Sequence, residues 1–280
     1  MDDRSESEIQ SRKFHLFLSP HFDDAVLSCG GQIAQLTAQG HTVVVYTVMA
    51  GRPPRDLPDS PILRDLHDRW KAVGDPVVAR RYEDMNAVRM LGAVARHDTI
   101  SDCVYRIRYG PGGVRQALYP TEESLWGPVH PADTAVLLLS AALLPYDGVH
   151  VLHVPLGAGG HVDHRLVRDW GRRLARIYPD LTVLYYEEYP YNTDSAAVQT
   201  ALAAFAPEVL TPRDHLLSES ALRVKIAAIG CYKSQISTFW QDTVDMARAV
   251  REDALRAGGG QPAEREWRVR SGDGDATEEN

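Results

Sequence analysis

The stretch FHLFLSPHFDD at residues 14–24 joins an apolar run to one histidine and two aspartates. Its first five residues have the length and composition of a buried strand, and the polar cluster follows at once. A second stretch, VHVLHV at residues 149–154, also predicts a strand, and GHVDH follows it at residues 160–164. Ligands of open parallel sheets bind at the carboxyl ends of the strands. Two histidine–carboxylate clusters, distant in the chain, are therefore expected to meet at one end of a sheet.

Around these stretches, strand-like and helix-like segments alternate. The apolar patterns predict strands at 14–19, 41–48, 93–100, 149–154, 181–187 and 265–269, and helices at 24–39, 76–91, 133–144, 164–178, 215–234 and 239–256. This alternation indicates an α/β fold with a mostly parallel sheet and helices on both faces, in which 265–269 is a late edge strand. One domain is expected over residues 14–270. The ends, 1–13 and 271–280, are charged and poor in apolar residues, which is typical of disordered tails.

The composition is that of a soluble globular enzyme, with 44% hydrophobic and 24% charged residues. A net charge of −8 argues against a nucleic-acid partner, because phosphate binding needs a concentrated basic surface. No apolar run reaches the roughly 18 residues of a membrane span, and the polar start of the chain does not resemble a secretory signal. Cys29, Cys103 and Cys231 form no disulfide framework and no CxxC pair, which suits a reducing compartment. A cytoplasmic protein is expected.

The segment 109–130 is rich in proline and glycine and is long for a loop within a domain. Its aromatic residues Tyr109, Tyr119 and Trp126 could line a binding pocket, and His130 is a candidate substrate contact. Alternatively, and equally compatible with the sequence, this segment is a surface loop that covers the edge of the sheet.

The two polar clusters contain the residue types of a catalytic zinc centre. Three nitrogen or oxygen ligands leave one coordination position open for water, and a carboxylate and an imidazole remain for catalysis. His161 and His164 are three residues apart at a predicted helix start, so they can lie on neighbouring faces of one turn. Alternatively, Asp23 or Asp24 only caps the following helix. That reading explains one aspartate, but it does not explain His21.

Four motifs, in this order, resemble those of the LmbE-like, PIG-L deacetylases. SPHFDD at 19–24 with CGG at 29–31 is similar to the opening (A/S)-H-P-D-D…G-G motif of that family. Residues 80–92 resemble its R-x-x-E-x-x-x-A-x-x-x-L-G helix, residues 160–164 its G-H-x-D-H motif, and residues 225–235 its late K…Y-x-S-Q helix. The resemblance implies a Rossmann-like three-layer α/β/α fold that forms a single LmbE-like deacetylase domain with one zinc ion.

Carried over by position, the resemblance implies that His21, Asp24 and His164 bind the zinc ion. Asp23 would be the general base that takes a proton from water. His161 would stabilise the developing oxyanion or act as an acid. A set of two histidines and one aspartate can also hold another divalent ion.

Further residues are candidates for substrate contacts. Asp102 matches an aspartate that contacts the sugar in relatives, and Arg80 and Asp163 lie within the motifs. The chain also departs from the family pattern, since Phe22 replaces the usual proline of the first motif. Arg52 stands where many members have an acidic residue, so substrate contacts are expected to differ.

The leading hypothesis is a zinc-dependent N-deacetylase that removes an acetyl or related acyl group from an amino sugar or a glycosylated small molecule. Its partner would be that N-acetylated small molecule, without nucleic acid or membrane, and a homo-oligomer is compatible with the sequence. One alternative is a nucleotide-binding Rossmann-like module, in which Gly30-Gly31 or the turn 157–160 cradles phosphate. The other is a small-molecule binding protein that retained the fold without catalysis.

Overall fold

Nine strands and ten helices lie within residues 12–70 and 74–270, which are the residues that the computed structural model describes. The strands are β1 (Phe14–Ser19), β2 (Thr42–Thr47), β3 (Val94–His97), β4 (Ile107–Tyr109), β5 (Arg115–Ala117), β6 (Val151–Pro155), β7 (Thr182–Tyr186), β8 (Leu210–Leu216) and β9 (Ala263–Val269). The helices are α1 (Asp24–Ala38), α2 (Pro61–Trp70), α3 (Pro76–Met90), α4 (Glu122–Trp126), α5 (Thr134–Ala141), α6 (Val162–Ile177), α7 (Ser195–Ala203), α8 (Glu219–Ile229), α9 (Lys233–Phe239) and α10 (Thr243–Ala257). Most of the predicted tails, 1–11 and 271–280, lie outside these residues.

Seven strands form one sheet in the order β3-β2-β1-β6-β7-β9-β8, and β4 pairs with β5 in a separate hairpin. Five neighbouring strands of this sheet are mutually parallel, namely β3, β2, β1, β6 and β7. Strand β9 is antiparallel to both of its neighbours. The predicted α/β fold with a mostly parallel sheet is confirmed. Strands β1 and β6, which precede the two polar clusters, are direct neighbours in the sheet. Their carboxyl ends therefore bring the two clusters together.

Two hydrophobic cores cover the two faces of the sheet. Phe17 of β1 packs in one core with α1, α3, α8 and α10, and Leu16 and Leu18 pack in the other with α5, α6 and α7. Successive side chains of a strand point to opposite faces, so a run of apolar residues is buried on both sides. A third, smaller core contains Phe22 and joins α2, α4 and the segment around Tyr105 beside the carboxyl ends of the strands. In the described part of the chain, no helix is both long and apolar enough to cross a bilayer.

The structure differs from the prediction in several elements, most of them in the C-terminal part. The predicted helix 215–234 is wrong, because His215 lies in β8 and two shorter helices, α8 and α9, follow. The late strand β9 does not lie at the edge, since β8 pairs along its outer side. Helices α2 and α7 were not predicted. The sequence of β8, LTPRDHL, contains proline and charged residues, which an edge strand tolerates and which obscure the strand pattern.

The glycine pair of the first motif has a packing role in α1. The main-chain N–H groups of Gly31 and Gln32 donate to the buried carboxylate of Glu264, at 2.9 and 2.7 Å. Lys225 of the late motif pairs with the same carboxylate at 2.7 Å. A Cβ atom at Gly31 would lie 2.5 Å from a methyl group of Leu217. These residues therefore attach the C-terminal strand pair to α1, near but outside the polar cluster.

Candidate metal centre and active-site pocket

The first cluster is shaped by the tight turn between β1 and α1. The hydroxyl group of Ser19 accepts the N–H of Ala25 and donates to the carbonyl of His21, at 3.0 and 2.6 Å. Asp24 accepts the main-chain N–H of His21 at 2.7 Å. Asp23 occupies the N-cap position of α1, but its side chain makes no capping hydrogen bond. The capping alternative therefore does not account for the carboxylate of Asp23.

Three side chains from the two clusters converge on one point. Oδ2 of Asp24 lies 3.2 Å from Nδ1 of His21 and 3.4 Å from Nε2 of His164. The three residues each place one donor atom within 4.8 Å of the others. Nε2 of His164 is buried and has no hydrogen-bond partner among residues 12–70 and 74–270. Two imidazoles and one carboxylate are a ligand set that suits zinc, and a buried nitrogen without a protein partner fits the role of a cation ligand.

His21 and His164 each contact a second carboxylate through the ring nitrogen that points away from Asp24. Nε2 of His21 lies 3.1 Å from Asp163, and Nδ1 of His164 lies 3.2 Å from Glu188. Carboxylates of this kind orient metal-binding histidines and fix which ring nitrogen carries the proton. Although burial lowers the pKa of His21, the carboxylates of Asp102, Asp163 and Asp24 together raise it well above its usual value. The surroundings therefore favour positive charge at this point.

Asp163 lies behind the donor set and is fully buried. Its carboxylate pairs with Arg106 and accepts the main-chain N–H of Cys103 at 2.9 Å. Burial alone would raise the pKa of Asp163, but Arg106 and His21 hold it far below its usual value. This placement fits a residue that positions His21, and it differs from the predicted contact with substrate. The sequence did not single out Arg106, which also pairs with the buried Asp133.

Asp23 faces the cavity beside the donor set, next to Arg80. Nη2 of Arg80 lies 3.4 Å from Oδ1 of Asp23, and Nη1 lies 4.0 Å from Asp102. The guanidinium group also lies 4.6 Å from the centre of the Trp70 ring. Burial raises the pKa of Asp23 to about 6, with Arg80 opposing the shift. Arg80 and Asp102, the predicted substrate contacts, both line the cavity, but Arg80 is already engaged with two carboxylates.

His161 differs from the other two histidines in its hydrogen bonds. It is the N-cap of α6, and its Nδ1 accepts the main-chain N–H of Asp163 at 3.2 Å. A main-chain N–H can only donate, so the proton of the neutral ring is at Nε2. Burial and the neighbouring His21 and His164 lower the pKa of His161 well below its usual value. The ring is therefore a neutral imidazole with an N–H donor beside the cavity, where Cys103 Sγ lies 3.8 Å away.

A cavity of about 260 Å³ opens next to these residues. Helix α4 contributes Glu122, Leu125 and Trp126 to its wall, so part of the segment 109–130 does line a pocket. The indole of Trp126 is 38% exposed and lies 5.1 Å from the ring of His161 and 5.5 Å from that of Tyr191.

The other aromatic residues of this segment lie elsewhere. Tyr119 is buried and donates to Asp133, whereas Tyr109 is 67% exposed. His130 does not line the cavity, and its Nδ1 accepts the main-chain N–H of Ala132 at 3.0 Å. Tyr191 does line the cavity, and Glu188 reaches the site through His164.

The family described as PIG-L, GlcNAc-PI de-N-acetylase, matches residues 16–175. This chain belongs to the PIG-L family. Its sequence is 35% identical over 199 residues to 2'-N-acetylparomamine deacetylase of Niallia circulans, a match that covers 65% of this chain and 69% of that protein. It is 28% identical over 240 residues to the 2'-N-acetylparomamine deacetylase of Streptomyces fradiae, covering 83% of this chain and 77% of that protein.

A similar solved structure agrees with the fold. Teicoplanin deacetylase Orf2, in its zinc-inhibited form, is similar with a TM-score of 0.72 and 25% identity, over 95% of this chain and 100% of that one. The PIG-L resemblance and the three-layer α/β arrangement expected from the motifs are thus confirmed.

Proposed function

We propose that this PIG-L protein is a metal-dependent amide hydrolase that removes an N-acetyl group from an amino sugar carried by a small molecule. The observation that carries the proposal is the convergence of His21, Asp24 and His164 beside a cavity that also exposes Asp23 and His161. His21 and His164 would hold a divalent cation, most simply zinc, together with Asp24. Such a cation supplies an activated water molecule and polarises the amide carbonyl.

Asp23 moves the proton in the proposed reaction. Its raised pKa, about 6, suits a general base near neutral pH. Asp23 takes a proton from the attacking water, whose oxygen bonds to the carbonyl carbon. When the carbon–nitrogen bond breaks, the protonated Asp23 returns that proton to the amine. The products are a carboxylic acid and a free amino group, so no further reactant is required.

His161 stabilises the oxyanion in this scheme. Its proton is at Nε2 because Nδ1 accepts from the main chain of Asp163, and the residue lines the cavity. A neutral imidazole cannot readily give up that proton, but it donates a hydrogen bond to the oxygen that becomes negative. Of the two roles expected for His161, the geometry supports oxyanion stabilisation, and it leaves proton donation to Asp23.

The cavity suits a sugar with polar groups and apolar faces. Trp126, Tyr191 and Trp70 offer aromatic surfaces, and Asp102 and Glu122 offer carboxylates for hydroxyl or ammonium groups. Two similar proteins are named 2'-N-acetylparomamine deacetylases, and a similar solved structure is that of teicoplanin deacetylase. We infer an N-acetylated amino sugar within such a conjugate as the substrate class of this protein.

The nucleotide-binding alternative finds little support in the turn 157–160. The N–H groups of Gly157 and Ala158 already donate to the buried carboxylate of Glu188, at 2.7 and 3.1 Å. A carboxylate in that place would repel a phosphate group. Among the described residues, this turn therefore has no free cradle of the kind that a phosphate-binding loop needs.

Metal analysis and acetate release test the proposal. We expect purified protein to contain about one zinc ion per chain, and His164→Ala to lose most of it. His130→Ala, a histidine outside the donor set, is the matched control and should retain the metal. Asp23→Asn should retain the metal but lose acetate release from N-acetylated amino-sugar conjugates by about 10²- to 10⁴-fold.

Three results would count against the proposed function. A metal content that His164→Ala leaves unchanged would show that the cation binds elsewhere. Full activity of Asp23→Asn would remove the proposed base. Binding of conjugates without any acetate release would favour the non-catalytic binding protein.

A further inference from the structure

Glu188 lies two residues past β7 and belongs to none of the family motifs recognised in the sequence. Its side chain is fully buried, and it accepts three hydrogen bonds. Oε1 accepts the N–H of Gly157 at 2.7 Å and lies 3.2 Å from Nδ1 of His164. Oε2 accepts the N–H of Ala158 at 3.1 Å. One carboxylate thus joins the turn after β6 to a candidate metal ligand on α6.

These contacts determine which nitrogen of His164 carries the proton. An ionised carboxylate only accepts hydrogen bonds, and two of its partners are main-chain donors. Nδ1 of His164 must therefore carry a hydrogen in order to bond to Glu188. In the neutral ring, Nε2 is then left with a lone pair, and this is the nitrogen that faces Asp24 at 3.4 Å. The same nitrogen is buried without a partner in the described part of the chain.

Glu188 also fixes the position of the ring. Gly157 has a φ angle of +86°, a left-handed conformation that glycine adopts without strain, and the turn continues to α6. The carboxylate of Glu188 binds both this turn and the imidazole of His164. Because Glu188 lies two residues past β7, the end of this strand fixes the direction of the Nε2 lone pair of His164. Loss of this acceptor would let the ring rotate or exchange tautomers.

We propose that Glu188 is the positioning residue of the metal centre, which sets the tautomer and direction of His164 and thereby the affinity of the site for its cation. The inference rests on the proposed function only in assigning a cation to the donor set. It does not depend on the reaction that follows. Partners of this kind typically contribute about 10- to 100-fold to metal affinity.

The chain contains a matched control at Glu266. This carboxylate is also fully buried, and its Oε1 lies 2.6 Å from Nδ1 of His153, in the neighbouring part of the same sheet. His153 is not in the donor set. Glu188→Gln and Glu266→Gln therefore remove the same charge and disturb the same type of contact, but only the first acts on the candidate centre.

Three variants of the full-length chain, Glu188→Gln, Glu188→Asp and Glu266→Gln, are compared with the wild type. Zinc affinity is measured by competition with a chromophoric chelator, and thermal unfolding is recorded for the metal-free proteins. The tautomer of His164 is read from two-bond nitrogen–proton NMR correlations in metal-free, ¹⁵N-histidine-labelled protein. Glu188→Asp keeps the negative charge but shortens the side chain, so it distinguishes the effect of losing the hydrogen bond to His164 from the effect of losing the charge.

We expect both Glu188 variants to bind zinc about 10- to 100-fold more weakly and to show a mixture of His164 tautomers. Glu266→Gln should unfold at a lower temperature but bind zinc within about twofold of the wild type, with His164 unchanged. If Glu188→Gln does not fold, Glu188→Asp alone decides the outcome. Wild-type affinity with a single His164 tautomer in a folded Glu188 variant would overturn the inference. Normal zinc binding without amide hydrolysis would instead count against the proposed function alone.

Discussion

Acidification should destabilise this protein through His15, a residue of β1 outside the candidate site. Its Nδ1 lies 3.0 Å from Nε2 of His153, whose Nδ1 lies 2.6 Å from the carboxylate of Glu266. When His153 is neutral and donates from Nδ1 to Glu266, its Nε2 atom accepts a hydrogen bond from Nδ1 of His15. The other nitrogen of His15, Nε2, is buried and has no partner within the described residues. A proton added there would be a buried donor without an acceptor.

The expected magnitude follows from the pKa of His15. Burial, then the neighbouring His153, His41 and Lys13, lower this pKa from 6.5 to about 3, although Glu266 opposes the shift. The stability contributed by a base with a depressed pKa is complete above pH 6.5 and is lost as the pH falls from there toward 3. At pH about 5.5 the unfolded chain gains RT ln 11, or about 1.4 kcal/mol, from a proton that the folded ring does not bind. Water screens the charge of the exposed Lys13, which weakens its part of the shift, so we expect about 1 kcal/mol.

Urea unfolding of the wild type and of His15→Gln measures this effect. Glutamine can still donate to His153, but it does not titrate. Both proteins are unfolded at pH about 7.5 and about 5.5 with the same chelator present, so that metal binding contributes to neither and the histidines that they share are compared at the same pH. Between the two pH values, the free energy of unfolding of the wild type should fall by about 1 kcal/mol more than that of the variant. Equal losses would refute the assignment of an unprotonated, partnerless nitrogen to His15.

Trp126→Ala should raise KM for an N-acetyl-sugar conjugate about tenfold with kcat nearly unchanged, and Trp126→Phe should raise it less, because the phenyl ring retains a flat apolar face. An unchanged KM in steady-state kinetics would remove Trp126 from the binding surface. Asp163→Asn removes one of the two carboxylates that pair with the buried Arg106. Its free energy of unfolding in urea should fall by about 3–5 kcal/mol. A fall below about 1 kcal/mol would contradict the stabilising role of this buried ion pair. Gly51→Ala places a Cβ atom 2.1 Å from the main-chain oxygen of Thr99 and should therefore lower the melting temperature. A melting temperature equal to that of the wild type would show that the main chain around Thr99 moves aside without cost.

The central part of the fold could be predicted because its signals are local. β1, β2 and β6 are apolar runs buried on both faces, and α1 and α6 begin within the two polar clusters. β8 could not be predicted in this way. Its residues are mostly exposed, and its conformation is determined by the antiparallel pairing with β9, about 50 residues later in the chain. An edge strand of this kind has no apolar periodicity of its own.

The residue types of the candidate site were evident from the sequence, but its hydrogen bonding was not. His21, His161 and His164 look alike in the sequence, yet each ring has a different partner. His21 and His164 are bonded to the carboxylates of Asp163 and Glu188, whereas His161 accepts a main-chain N–H. In their neutral forms, the first two rings therefore turn an unprotonated nitrogen toward Asp24, where a cation would bind, and the third presents an N–H donor. These partners are separated from the rings by up to 142 positions in the chain or come from the start of a helix, so only the assembled sheet decides which histidine can bind a cation and which can donate to an oxyanion.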